Sequence, residues 1–168
     1  LNNLKQAAKT MNFLTEHGIS SYGELESKLT AISARRDTAH AEIKRIESRS
    51  AELALVMKHA GTYRQLKPLY DRYRKSNDKE KFLRGHESEI ILFEAAAREL
   101  KRLGAVPLPT TESMKTELAN LNAEKERLLA EYKAARTEAQ EYDTVKQNVD
   151  ALLTVPKEQE QQRRHELE

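Results

Sequence analysis

A seven-residue apolar repeat in constant register is the feature that most limits how this chain can fold. Alternate steps of three and four residues from Tyr22 meet apolar side chains at ten of twelve positions, and the residues between them are mostly Lys, Arg, Glu, Ser and Ala. A 3.5-residue period held this long predicts a long helix that supercoils against a partner helix. The positions of this first seam are Tyr22, Leu25, Leu29, Ile32, Arg36, Ala39, Ile43, Ile46, Ser50, Leu53, Met57 and Ala60.

A second seam with the same spacing begins at Met114. Ten of its twelve positions are again apolar. Thr110 or Thr111 is suited to cap the helix, and Glu112 places negative charge in its first turn. The positions of this second seam are Met114, Leu118, Leu121, Lys125, Leu128, Tyr132, Ala135, Ala139, Tyr142, Lys146, Val149 and Leu153.

The two seams match in length, since they span 39 and 40 residues of one chain. Each helix would be roughly 60 Å long at about 1.5 Å per residue. We therefore predict an all-α fold in which they pair as a long antiparallel two-helix coiled-coil hairpin. Ala60 should lie near Met114, Tyr22 near Leu153, and Ser50 close to Lys125. The alternative is that each helix pairs with a second molecule.

Helix signals divide the rest of the chain. We predict a short N-terminal helix in residues 1–18, the first coiled-coil helix in 20–60, a small helical tip in 61–109, the second coiled-coil helix in 110–155 and a polar tail in 156–168. Gly18 and Gly104 stand where helices end, and Pro156 ends or interrupts the last long helix.

Local residue patterns refine three of these segments. In the first helix, Leu4, Ala7, Ala8, Met11 and Leu14 share a predicted apolar face. Ser21 with Glu24 forms a capping-box pattern before the first long helix. In the tip, Gly61 and Pro68 predict a break, Asn77 with Glu80 predicts a cap, and another helix is expected from Glu87.

Composition excludes several classes of protein. Charged residues make up 33% and aromatic residues 5% of the chain, which suits helices that bury narrow stripes. Cysteine is absent, so disulfides and thiolate metal sites are excluded and a cytoplasmic location is expected. The sequence contains no run of about 18 apolar residues, so we predict no membrane insertion. The start, Leu1-Asn2-Asn3-Leu4, lacks an initiator Met, and we expect a fragment of a larger protein.

Positive charge is concentrated in the middle of the chain. Residues 58–84 contain nine Lys or Arg and three acids, a net +6, whereas the whole chain carries +2. Cations so placed can neutralise phosphates while Tyr70 or Tyr73 stacks or hydrogen-bonds. The alternative is that the tyrosines form a core and the cations only solvate it. The candidate binding residues are Arg64, Lys67, Arg72, Arg74, Lys75, Lys79, Lys81 and Arg84.

Catalytic and metal-binding patterns are missing from the sequence. The five histidines are scattered, most carboxylates alternate with Lys and Arg on the outer faces of the seams, and the five glycines are isolated. A zinc site needs three converging ligands, and a general acid–base pair needs a shielded pocket. We therefore predict no catalytic residue, no metal and no cofactor.

Several stretches resemble one known family. The sequence is similar to the helical region behind the nuclease domain of a group of bacterial relaxases, the mobilisation nucleases of conjugative plasmids and transposons. The resemblance covers nearly the whole chain. The stretches that carry it are residues 12–16 with Tyr22 and Leu25, Tyr70-Asp71-Arg72-Tyr73-Arg74-Lys75-Ser76, Lys81-Phe82, His86-Glu87, Leu108-Pro109-Thr110, Glu124-Lys125, Glu131-Tyr132, Thr144-Val145-Lys146 and Asn148-Val149-Asp150.

The resemblance implies a context of DNA processing. In the family, a separate upstream domain nicks one DNA strand with a Tyr nucleophile and a histidine-bound metal, and none of those catalytic motifs occurs in this sequence. The helical region is expected to contact origin DNA or partner proteins of the transfer machinery. The alternatives are a structural spacer or dimerisation arm that self-associates through Leu29, Ile43, Ile46, Leu128 and Val149, and an independent enzyme, which would need a ligand-bearing pocket.

Overall fold

The residues that the structure describes form four helices. The computed structural model describes residues 2–165, with side chains described at all of them except 155–158. Helix α1 is Asn2–Glu16, α2 is Tyr22–Lys75, α3 is Lys79–Arg102 and α4 is Thr111–His165. No strand occurs within these described residues, so the all-α prediction is confirmed.

The helix ends follow the predicted signals. Gly18 and Gly104 adopt φ values of 62° and 69°, the left-handed conformation that favours glycine after a helix. Before α2, the Ser20 amide donates to the Glu24 carboxylate at 2.7 Å, and the Glu24 amide donates to Ser21 Oγ at 3.2 Å. The predicted capping box is therefore present. Thr110 caps α4, because its hydroxyl oxygen accepts the Ser113 amide at 3.1 Å.

The described residues form two compact units, Ile43–Glu126 and the segments on either side of it. The outer unit contains the start of α2 and most of α4. Its core combines Leu25 and Ile32 of the first seam with Ala139 and Tyr142 of the second. The Tyr22 hydroxyl reaches Asp150, and Arg35 pairs with Glu138 further along both helices. The two helices therefore pack antiparallel in this unit.

Helix α1 uses only part of the predicted apolar face, since Leu14 packs against the core of the outer unit together with Phe13. Leu4 is 77% exposed and Met11 is 59% exposed, whereas Thr10 is only 3% exposed. Thr10 tolerates burial because its hydroxyl donates to the Gln6 carbonyl at 2.9 Å and lies 3.4 Å from the Asn148 amide nitrogen, which donates to it. The prediction of Leu4 and Met11 as packing residues was wrong, because Thr10 and Phe13 make the contacts with α4 instead, Phe13 against the Tyr142 ring.

The inner unit, Ile43–Glu126, also joins α2 to α4 in antiparallel fashion. Ala60 and Met114 lie in one core cluster, as predicted. Lys125 Nζ lies 3.0 Å from a Glu47 carboxylate oxygen, one turn before the predicted neighbour Ser50. The core of this unit consists of Leu53, Val56, Ala60, Leu100, Ala105 and Met114.

The predicted helix breaks are mostly wrong. Helix α2 continues through Gly61 and Pro68 to Lys75, and α4 continues through Pro156 to His165. A proline removes one backbone donor, but Pro68 is exposed, so water can satisfy the freed carbonyl group. The helix predicted from Glu87 is present as the second part of α3, which follows a kink at His86, where φ is −140° and ψ is 26°. The last residues of the predicted tail, 166–168, lie outside the described residues.

None of the helices in the described range has a stretch that is both long and apolar enough to cross a bilayer.

Tyr22, Lys146 and Asp150 form a polar network beside the core of the outer unit. The Tyr22 hydroxyl donates to Asp150 at 2.7 Å, Lys146 Nζ lies 3.3 Å from the same carboxylate, and the ammonium sits 5.6 Å from the centre of the Tyr22 ring. The hydrogen bond from Tyr22, with a smaller effect of Lys146, holds the pKa of Asp150 below its usual value. The carboxylate raises the pKa of Tyr22 in turn.

Truncation of the inner core should show that seam burial stabilises the fold. Leu53 is 2% exposed, whereas Leu55 on the same helix is 43% exposed. We expect Leu53→Ala to lower the free energy of unfolding by about 2–5 kcal/mol through reduced burial and a residual cavity. Leu55→Ala should change it by less than about 0.5 kcal/mol. Urea denaturation followed by circular dichroism measures both, and equal losses would contradict the packing described.

The Asp150 network predicts a specific pH dependence. Because the folded pKa of Asp150 lies below its unfolded value near 4, the stabilisation is complete above about pH 4 and is lost as the pH falls through the folded pKa. Asp150→Asn should therefore lower the free energy of unfolding near neutral pH, and its difference from the wild type should shrink in acid.

Urea denaturation over a pH series measures this difference. Asp143→Asn is the matched control. Asp143 is exposed, and its carboxylate accepts a hydrogen bond from the Gln147 side-chain amide at 3.0 Å. A deficit of Asp150→Asn that stays constant into acid would contradict the proposed linkage.

Candidate nucleic-acid interface

A short turn joins α2 to α3 and places the cationic ends of the two helices next to each other. Only residues 76–78 separate the helices. The Ser76 amide donates to the Tyr73 carbonyl at 3.2 Å, and the Asp78 carboxylate accepts the Lys81 amide at 3.0 Å. Asp78 therefore caps α3, and the prediction that Asn77 does so was wrong. Asp78 has the advantage because it directly precedes the first helical residue and can accept the amide of its third residue.

All eight predicted binding residues lie in the inner unit and are exposed. Two of them have internal partners. Arg64 donates to Thr111 Oγ1 at 2.8 Å and also to the Pro109 carbonyl, while Lys67 pairs with Asp71 at 3.1 Å. These contacts hold the α3–α4 connection and one turn of α2, so Arg64 and Lys67 have structural roles.

The other six cations are available for a ligand. Within residues 2–165 their side chains make no hydrogen bond or ion pair that would neutralise them, and α2 and α3 present them on both sides of the turn. Of the nearby acids, Asp71 is engaged by Lys67 and Asp78 by the cap of α3, and Glu80 is exposed in the first turn of α3, so the six cations outnumber the acids beside them. A net positive surface is therefore left around the turn. The six residues, called the turn cations below, are Arg72, Arg74, Lys75, Lys79, Lys81 and Arg84.

The aromatic residues of this region pack against one another. Phe93, which is 5% exposed, lies between two tyrosines of α2, with ring centroids 4.7 Å from Tyr63 and 4.2 Å from Tyr70 and interplanar angles of 25° and 24°. Tyr70 also donates a long hydrogen bond of 3.4 Å to Glu94. These contacts fix α3 to the end of α2.

The ring contacts continue towards the turn. Tyr73 lies 5.9 Å from Tyr70 and 6.0 Å from Phe82, and Phe82 lies 4.8 Å from the His86 ring. The six rings thus form a continuous row, defined as Tyr63, Phe93, Tyr70, Tyr73, Phe82 and His86. Tyr70 and Tyr73, predicted as possible partners of DNA, are half-buried members of this ring row.

A shallow groove of about 400 Å³ runs beside the ring row. Its lining combines cations and Asp71 with aromatic side chains. The lining residues are Tyr63, Lys67, Tyr70, Asp71, Arg74, Lys75, Phe93 and Ala97. Phe93 was not among the predicted binding residues. The seven-residue spacing of Tyr63 and Tyr70 places both on one helix face and could have indicated a ring held between them.

A larger groove of about 720 Å³ lies in the outer unit between α1 and α4. Lys5, Lys9 and Glu141 give it mixed charge, and its polar wall is partly satisfied internally, since Gln6 donates to Asn148 at 2.9 Å. It therefore lacks the concentration of free cations found at the turn.

Metal ligands do not converge in the part of the chain that the structure describes, where no group of three or more His, Cys, Asp or Glu side chains could hold an ion. His86 and Glu89 come within 3.0 Å of each other as a pair.

No protein-family model, curated protein or solved structure matches this chain.

In the ring row, loss of a packed ring should reduce the free energy of unfolding much more than loss of a tyrosine hydroxyl. Phe93→Ala should lower the free energy of unfolding by about 3–5 kcal/mol, because it empties the space between two tyrosines. Tyr70→Phe removes only a long hydrogen bond at a half-buried site and should cost less than about 1 kcal/mol. Chemical denaturation followed by far-UV circular dichroism compares the two variants, and only Phe93→Ala should shift the midpoint strongly. A neutral Phe93→Ala would contradict the structural role of the row.

Proposed function

We propose that this chain is a non-catalytic helical region of a DNA relaxase or mobilisation protein, and that the turn cations contact DNA of the origin region. The observation that carries the proposal is the group of six exposed cations without internal partners on both sides of the α2–α3 turn. The relaxase-like stretches of the sequence supply the biological context. Residues 70–76, which are among those stretches, include three of the turn cations.

The proposal includes the detailed architecture. We infer that the antiparallel packing of α2 and α4 within each unit belongs to a two-helix coiled coil. Two observations support this inference. Most buried residues of α2 and α4 are seam positions, and charged residues beside the seams form interhelical pairs such as Arg49 with Glu117 at 2.7 Å.

DNA is the ligand that such a surface favours. Cations without internal partners gain most from phosphates, because each contact releases counterions condensed on the nucleic acid. Helix packing restricts the backbone that carries the cations, so less conformational freedom is lost on binding. An acidic protein of the transfer machinery is the second candidate. It is less favoured because protein interfaces usually have an apolar centre, and the rings of this site are packed against each other.

A purely structural arm is the alternative from a different class. Dimerisation through Ile43, Ile46 and Leu128 is not favoured, because these side chains are 5%, 0% and 6% exposed in the single chain. Such a dimer would first have to open the existing core. Sedimentation of the chain in dilute buffer distinguishes the two forms, and a tight dimer would support the structural alternative.

Charge reversal provides the direct test of DNA contact. We expect the chain to bind DNA in a fluorescence-anisotropy titration, with affinity that falls steeply between low and physiological salt. Replacement of Arg72, Arg74, Lys75 and Lys81 by Glu should weaken binding at least about tenfold. It should also reduce the slope of log affinity against log salt by roughly 0.9 for each phosphate of duplex DNA that the variant no longer neutralises.

A matched variant controls for total charge. Lys133, Arg136, Arg163 and Arg164 are exposed on α4, outside the inner unit, and their replacement by Glu changes the net charge equally. This control should retain most of the affinity. An equal loss in both variants, or no binding of any DNA at low salt, would contradict the proposal.

A further inference from the structure

We infer that the turn cations bind the phosphate backbone of duplex DNA and that no base stacks on the aromatic residues beside them. This inference rests on the proposed function, which names DNA without specifying its form. It specifies the strand state and the mode of recognition at the same site.

Packing within the ring row opposes the stacking of a base. Both faces of Phe93 are covered, by Tyr63 on one side and Tyr70 on the other. Tyr70 and Tyr73 each have two ring neighbours. Proteins that bind single strands use aromatic faces as platforms for successive bases. Here a base could stack on Phe93 only by displacing Tyr63 or Tyr70, the two rings that fasten α3 to α2.

The groove carries the second step. It touches Tyr63, Phe93 and Tyr70, whose planes lie within 25° of parallel along the stack. Because Tyr63 and Tyr70 both stack on Phe93, the faces that these rings turn towards one another are closed to a ligand in the groove. The groove is also lined by Lys67, Arg74 and Lys75, of which Lys67 is already paired with Asp71. The groove therefore offers cations to a ligand, whereas its stacked ring faces are already occupied.

Charge density carries the third step. A site that recognises phosphates alone favours the nucleic acid with more phosphates per unit length. Duplex DNA presents one charge about every 1.7 Å along its axis, about twice the density of one of its strands. Arg72 and Lys75 lie one turn apart near the end of α2, and Lys79 and Lys81 follow on α3. Cations on two packed helices suit a stiff double strand, whereas stacking usually supplies much of the affinity for a flexible single strand.

Three probes of equal length test the inference with the full chain: a duplex, a thymine single strand and an abasic single strand that keeps the phosphates but has no bases. We expect the duplex to bind most tightly and the two single strands to bind equally. A single stacked base would instead make the abasic strand bind about 5- to 150-fold more weakly than the thymine strand.

The outcomes separate this inference from the function on which it rests. Tighter binding of the thymine strand than of the duplex, or a clear loss with the abasic strand, would overturn the duplex assignment and leave DNA contact intact. If the Glu variant at Arg72, Arg74, Lys75 and Lys81 binds every probe as the wild type does, DNA contact at this site fails and the inference fails with it. Tyr70→Phe, which keeps the ring, should leave all three affinities unchanged.

Discussion

The burial of a narrow apolar stripe between α2 and α4 is the interaction on which the rest of the structure depends. Helices of 54 and 55 residues expose most of their surface, and each has only two apolar positions per seven along its seam. Neither stripe can be removed from water by its own helix. Residues such as Leu25, Ile46 and Leu53 become almost fully buried only because a second helix lies across from them.

The sequence predicted those parts of the fold that obey periodicity and local stereochemistry. Seam residues such as Ile46 and Ala135 are fully buried, and glycines 18 and 104 adopt the left-handed conformation after a helix. These features depend on residue spacing or on one backbone angle. Both can be recognised without knowledge of distant contacts.

The errors arose where a tertiary contact outweighed a local preference. Pro68 predicts a break, but Tyr63 and Tyr70 pack on Phe93 from either side of it in the chain, so the helix continues. Thr10 is polar and was not predicted to be buried, yet Asn148 of α4 supplies a partner for its hydroxyl. Such pairings join residues far apart in sequence, and no local pattern indicates them.

The sequence predicted which residues form the candidate site, but not which of them have structural contacts and which are free for a ligand. Counting charges identifies the eight cations, whereas only the structure shows that Arg64 holds the connection before α4 and that Lys67 is paired. The tyrosines divide in the same way, because their helical spacing agrees with both packing and base contact. The structure describes a packing role for them, so the proposed DNA contact rests on the cations of the turn.

The stack around Phe93 has a mechanical consequence. Its two tyrosine partners lie seven residues apart on α2, and Pro68, which lacks a backbone donor, lies between them. Packing of α3 therefore braces α2 on both sides of the residue that cannot donate a backbone hydrogen bond. If Phe93 moved away from the two rings, this support would be lost and α2 could bend at Pro68. The stiffness of the last turns of α2 thus depends on its packing against α3.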